Sequence, residues 1–154
     1  MKNQKTLSVS AIENGTVIDR IPSENLFKVI SILGLDKLTG NQITFGYNLP
    51  SAKIGKKAII KISERFFEDI ELDKIALVAP NAKLNIIKNY EVVEKRLVNV
   101  PEQINDIVKC MNPKCITNHE AIPTKFHVIN DSKITLKCCY CEKNTDIEHM
   151  QLVK

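Results

Sequence analysis

No stretch of eighteen apolar residues occurs in this 154-residue chain, and its N-terminus, MKNQKTLSVS, has no apolar secretory core. Neither a membrane span nor a signal peptide is therefore expected, and the expected address is the cytoplasm. The first 109 residues contain no cysteine; all five cysteines lie between Cys110 and Cys141. The phosphate loops G-x-x-x-x-G-K-[ST] and G-x-G-x-x-G are both missing. So are a Ser/His/Asp arrangement and a paired-carboxylate layout, which leaves no visible catalytic machinery. No internal repeat or low-complexity tract is present.

What remains is an ordinary globular balance, 44% apolar and 26% charged, enough for one domain or two small ones. The charge is unevenly spread. Residues 1–100 carry 15 Lys and Arg against 11 Asp and Glu, while the remainder carries seven of each. The whole net charge of +4 thus lies in the part without cysteine. Two domains with different tasks are expected, 1–100 and 101–154, joined around Asn99-Val100-Pro101-Glu102.

The first hundred residues read as strands interrupted by two helices. Leu7, Val9 and Ala11 alternate with Ser8 and Ser10 as a half-buried strand does. Asn14-Gly15 suits a tight turn, and Thr16 to Ile21 continues as strand or extended arm. Ser23 is placed to cap a helix whose Leu26, Phe27, Ile30 and Leu33 recur at three- and four-residue spacing, with Gly34 as its stop. Gln42 to Leu49 and Lys57 to Ile62 are rich in strand formers. A shorter helix is expected from about Glu71 to Val78, with Leu72, Ile75 and Ala76 on one face and Pro80 beyond it. Ala82 to Ile87 and Tyr90 to Val98 follow as strands joined through Lys88-Asn89. This order predicts an α+β unit, two helices on one face of a mainly antiparallel sheet.

The last fifty residues are too few to bury a large core unaided. Cys110-Met-Asn-Pro-Lys-Cys115 and Cys138-Cys-Tyr-Cys141 provide C-x4-C and C-x2-C pairs, the layout of a four-thiolate zinc site. Thr124 to Asn130 and Lys133 to Lys137 can form a hairpin around Asp131-Ser132 that brings the pairs together. Five cysteines without a signal peptide argue against a disulfide framework, whereas an iron site of rubredoxin type uses the same four ligands. Cys139 is left as a spare thiol. Four thiolates close the metal shell, and His119, His127 and His149 fall at no paired spacing with the cysteines, so the expected role is structural. The neutral charge of this part, lowered further by a thiolate site and with Phe126 and Tyr140 its only aromatics, favours a protein partner over a nucleic acid. A zinc-ribbon nucleic-acid binder remains the alternative.

Lys53, Lys56, Lys57 and Lys61 crowd one strand region, and Lys88 and Lys95 flank Tyr90. Lys57 and Lys61, four apart on a strand, share a face. A solvated lysine face and a phosphate site are both open on these residues alone.

The run Val9-Ser-Ala-Ile-Glu-Asn-Gly-Thr-Val-Ile-Asp-Arg-Ile-Pro22 resembles the N-terminal motif of aspartate carbamoyltransferase regulatory chains. Similar resemblances hold for Ile43-Thr-Phe-Gly-Tyr-Asn-Leu-Pro-Ser51, Gly55-Lys-Lys, Ile60-Lys-Ile62, Ala79-Pro80, Asn85-Ile-Ile-Lys-Asn-Tyr-Glu-Val-Val93 and Leu136-Lys-Cys-Cys-Tyr-Cys-Glu-Lys143. They cover nearly the whole chain, in order. The resemblance implies a noncatalytic regulatory subunit in pyrimidine biosynthesis, with a ferredoxin-like allosteric domain that binds CTP, UTP or ATP and a small all-β zinc domain that docks on the catalytic chain. It implies a regulatory homodimer, with three such dimers bridging two catalytic trimers, and no nucleic-acid or membrane partner. By position, Val9, Ala11 and Ile12 would read the base, and Asp19 would contact the ribose. Lys61 and Lys95 would hold phosphates, and Asn85, Ile87, Tyr90 and Val92 would complete the pocket. Asn48 and Lys57 match positions linked to a second nucleotide, with Mg2+ as the candidate helper ion. Cys110, Cys115, Cys138 and Cys141 would be the Zn2+ ligands. Two departures stand out: Ser10 replaces a Glu and Arg20 a His, so Arg20 implies a permanent charge near the phosphates.

Overall fold

The structure is a computed structural model that describes residues 11–52 and 55–153. The strand expected through Leu7 and Val9, and the Lys53 position, lie outside the described residues.

Seven elements build the first half: β1 (Gly15–Pro22), α1 (Leu26–Ile32), β2 (Ile43–Ser51), β3 (Gly55–Ser63), α2 (Asp69–Val78), β4 (Lys83–Lys88) and β5 (Glu91–Leu97). The sheet order is β2-β3-β1-β4-β5, with every neighbouring pair antiparallel. The first four strands and two helices make a βαββαβ unit, and β5 adds an edge strand through a hairpin. The mixed, mainly antiparallel fold read from the sequence is the one observed.

One face of the sheet carries Ile18, Ile60, Ile62 and Leu84, all at most 1% exposed. They join Leu26, Val29, Ile32, Leu72, Ile75 and Ala76 from the helices in one apolar cluster. At about 25 cal/mol per Å2 of apolar surface removed from water, such side chains supply the main drive for folding. The helices therefore cover this face, and residues alternating with the buried ones point away from it. The α2 sequence closes its first turn with a reciprocal capping box between Glu68 and Glu71. Gly34 ends the α1 segment in the left-handed conformation, at φ 68.

Four local expectations are corrected. Leu26 and Leu33 are buried as expected, but Phe27 is 61% exposed and Ile30 half-buried, and Val29 and Ile32 complete the buried stripe in their place. Ser23 caps no helix; it sits in a 3-10 turn, and its Oγ accepts the Asn48 backbone N–H at 3.1 Å. Gly15 opens β1 rather than a turn. Its φ is +146, and a Cβ there would lie 2.1 Å from the Ile62 carbonyl oxygen, so the close sheet neighbour demands glycine. Tyr90 belongs to the β4–β5 turn with Asn89, both at positive φ, and not to the strand.

The second half holds β6 (Gln103–Asn105), β7 (Val108–Lys109), β8 (Lys125–Asn130), β9 (Ile134–Cys138), β10 (Asn144–Asp146) and β11 (Gln151–Leu152). They form a four-stranded sheet, β10-β9-β8-β6, and a two-stranded one, β11-β7. The expected hairpin is present, with Asn130 opposite Ile134 across Asp131–Lys133. Phe126, fully buried, lies between Ile104 and Cys138 in register. The apolar clusters of the two halves run into one another. No helix among the described residues is long and apolar enough to cross a membrane.

Candidate functional site

The open face of the first sheet is assembled by register. Directly paired residues in antiparallel strands share a face, so Thr44, Lys61, Val17, Asn85 and Lys95 form one row from β2 to β5. A parallel row two residues along holds Asp19, Lys83 and Leu97, and another holds Gly15, Ser63, Ile87 and Val92. Lys57 shares the Lys61 face of β3 and closes on Asp19, Nζ to Oδ1 at 2.9 Å. Asp19, Lys57, Lys61, Asn85, Ile87, Val92 and Lys95, separate in sequence, thus converge on one surface. Val17 and Lys83 stand among them and escaped the sequence reading; their signal was the alternation Val17, Asp19 on β1.

Two features of this face suit a ligand. Partial burial pushes the Lys61 ammonium below its usual pKa of 10.5, and an anion on this face would favour its charged form. The Asn85 Oδ1 is a buried acceptor without a hydrogen-bond partner among the described residues. Such groups cost about 1–3 kcal/mol when left unmade, and an incoming donor would remove that cost.

The remaining positions lie around it. Ala11 is exposed and Ile12 half-buried, just ahead of β1. Glu13 and Asn14 touch the β4–β5 turn, where the Tyr90 N–H donates to the Glu13 carbonyl and the Asn89 N–H to Asn14 Oδ1. Tyr90 is 66% exposed. Asn48 is exposed on β2, beside the Leu49–Lys57 pair. Arg20 lines a cavity between the two halves that Leu97, at the end of the Asp19–Lys83 row, also borders. Val9 lies outside the described residues.

The second centre is the thiol cluster. Cys110, Cys115, Cys138 and Cys141 place their sulfurs within 4.8 Å of one another. The Cys110–Cys141 and Cys115–Cys138 separations are 3.6 and 3.7 Å. Those spacings are too long for a disulfide, and a tetrahedron with metal–sulfur bonds of about 2.3 Å has edges of about 3.8 Å. The donor set fits one metal ion. Backbone turns aim the sulfurs: Cys138 Sγ accepts the Tyr140 and Cys141 N–H groups at 3.4 and 3.5 Å. The Asn118 side-chain amide donates to the Cys110 and Asn112 carbonyls at 3.0 and 2.7 Å and so shapes the first loop. Burial pushes the Cys110 thiol up to about 12 and raises Cys138 as well. At Cys141 burial also raises the value, but hydrogen bonds from Asn112, Lys143 and neighbouring thiols outweigh it and bring it to about 7. Thiols this close cannot all ionise without a cation among them. Cys139 is exposed and outside the cluster. His119, His127 and His149 are exposed, and His149 pairs instead with Asp146 at 2.7 Å.

Two family models match this chain. Residues 7–99 match the family described as the aspartate carbamoyltransferase regulatory chain, allosteric domain, and residues 102–151 match its metal binding domain. The chain is 54% identical over 152 residues to the aspartate carbamoyltransferase regulatory chain of Bacteroides fragilis, covering 99% of both chains. It is 51% identical over 145 residues to that of Pyrococcus horikoshii, covering 94% of this chain and 95% of the relative. With full-length identity of this order and both domains matched, the chain belongs to the aspartate carbamoyltransferase regulatory-chain family, a regulatory and not a catalytic subunit.

Proposed function

We propose that residues 1–100 bind nucleoside triphosphates, namely CTP, UTP and ATP, on the open sheet face, and that residues 101–154 hold one structural Zn2+ and pass the signal to the catalytic chain. The observation that carries the nucleotide reading is the row Lys61, Asn85, Lys95, in which a buried acceptor without a partner among the described residues lies between two cations. Asn85 accepts from a base or sugar donor, Lys61 and Lys95 hold phosphate oxygens as point charges, and Asp19 takes a ribose hydroxyl. Ile87, Val92 and Tyr90 supply apolar wall, and the main chain of Val9, Ala11 and Ile12 reads the base edge. Asn48 and Lys57, at neighbouring register positions, serve a second nucleotide with Mg2+.

Zinc is the metal that a closed four-thiolate tetrahedron favours, and such a site leaves no open position for catalysis. Metal analysis of the purified chain separates it from iron. The regulatory homodimer forms through the edge strand β2, where exposed Phe45 meets Phe27 of α1 edge to face and exposed Tyr47 meets it at a tilt, at centroid distances of 6.1 and 5.9 Å. Three such dimers bridge two catalytic trimers. Allosteric coupling of this kind is about 1–3 kcal/mol, so modest differences in contact suffice.

Calorimetric titration of the zinc-loaded chain tests the reading: saturable CTP binding is expected, and its absence refutes it. A nucleic-acid binder would instead show retention on DNA or RNA at low salt that falls steeply as salt rises. The neutral charge balance of residues 101–154 predicts none.

A further inference from the structure

A lysine reacts as a nucleophile only through its neutral amine, and the surroundings of Lys61 favour that form. On β3 it stands between Val17 of β1, which is buried, and Thr44 of β2, which is half-buried. Ile59, two residues back on the same strand face, is half-buried as well. The side chain of Lys61 thus rises from a partly apolar bed, and its partial burial lowers the pKa from 10.5. Lys57 shares the face but is engaged with Asp19, Nζ to Oδ1 at 2.9 Å. Lys109 and Lys125, on strands of the other half, are exposed to water. Lys95 belongs to the row of Lys61, and Lys83 to the row beside it, so both stand on the same open face. Withdrawal from water and neighbouring cations are the two conditions that activate an amine as a nucleophile. The same cations can hold a phosphate as point charges.

We propose that Lys61 is a covalent modification site, acylated by small acyl phosphates whose phosphate docks on this lysine face. The neutral Nζ attacks the carbonyl carbon of the acyl phosphate. A new N–C bond forms as the C–O bond to the phosphate breaks. The phosphate leaves with the bonding electron pair, and the proton released from the nitrogen passes to it. The product is a neutral amide, so the face loses a positive charge where an anion would sit. Acylation therefore weakens CTP binding. That consequence rests on the nucleotide reading above; the modification itself does not.

Incubation of the full zinc-loaded chain with acetyl phosphate, followed by digestion and mass spectrometry, reads the rate at each lysine. Lys61 should be acetylated at least about tenfold faster than Lys109 or Lys125, a small part of what orientation can supply. Excess inorganic pyrophosphate should slow the reaction at Lys61 and leave the other two unchanged. Equal rates at the three lysines, or an undiminished Lys61 rate in pyrophosphate, overturns the proposal. Calorimetry then reads the consequence. Acetyl phosphate treatment should lower the CTP affinity of the wild-type chain about tenfold, the worth of one hydrogen bond to a charged group, and that of Lys61→Arg far less. Equal losses in the two chains overturn the link between acylation and binding. Absence of CTP binding by the untreated chain would refute the nucleotide reading instead, and the mass spectra would still decide the modification.

Discussion

Lys61 and Asn85 flank Val17 in one row of the five-stranded sheet, the lysine from β3 and the asparagine from β4. Lys95 extends the row from β5. A partly buried cation and a buried acceptor that lacks a donor among the described residues thus share a face that the helices leave uncovered.

Removing one lysine should weaken binding without disturbing the metal half. Lys61→Ala or Lys95→Ala is expected to lower CTP affinity about 10- to 100-fold, the worth of one charge-assisted hydrogen bond. Lys109→Ala, on β7 of the other half, should leave it unchanged. Wild-type affinity in both face variants, measured by calorimetry, would remove these residues from the site.

Lys61 also sets a proton linkage. Burial lowers its pKa from 10.5, so the unfolded chain holds more protons in the interval between the lowered value and 10.5. Stability gains from this group as pH rises through that interval and is penalised below it. A bound triphosphate favours the charged ammonium and raises the pKa again, so nucleotide binding there should take up protons. Titrations in two buffers of different ionisation heat measure the uptake. Equal uptake by Lys61→Gln would contradict the assignment.

The thiols make a sharper contrast. Cys141→Ser should abolish stoichiometric metal binding, while Cys139→Ser, outside the cluster, should retain one ion per chain. Structural zinc supplies about 10–16 kcal/mol of apparent free energy in small sites. Chelation should therefore unfold the β6–β11 half and leave the β1–β5 sheet standing, as read by hydrogen exchange in each half. Unchanged protection in the cysteine-bearing half after metal removal would show that the metal does not hold it together.

Gly15→Ala should destabilise the first half by at least about 1 kcal/mol in urea unfolding, because the positive φ and the Ile62 carbonyl leave no space for a Cβ. Gly40→Ala, where nothing lies within 4 Å of the new carbon, should change stability little. Equal effects at the two positions would contradict the close approach.

Local chemistry made part of this molecule legible. The cysteine spacing announced the metal cluster, Leu72, Ile75 and Ala76 announced α2, and Asp131-Ser132 announced the β8–β9 turn. The motifs of a known family supplied most of the candidate residues that register gathers on the open face. Long-range geometry stayed hidden. Gly15 answers to Ile62, 47 positions away, and not to Asn14 beside it. Ser23 is engaged by Asn48 instead of capping the helix. Phe27 and Leu26 are adjacent apolar residues on a helix of seven, too short for periodicity to say which faces the core. The Lys61–Val17–Asn85 row depends on strand register, and the neighbouring bulges at Ile18–Ile21 and Ile86–Ile87 leave no trace in hydrophobic alternation.

The most direct test of the regulatory account is reconstitution of the zinc-loaded chain with an aspartate carbamoyltransferase catalytic chain, followed by activity at subsaturating aspartate with and without CTP and ATP. The account predicts a stable complex whose activity responds to nucleotide, and loss of that response in Lys61→Ala with the complex intact. A complex whose activity is the same with and without either nucleotide would contradict it.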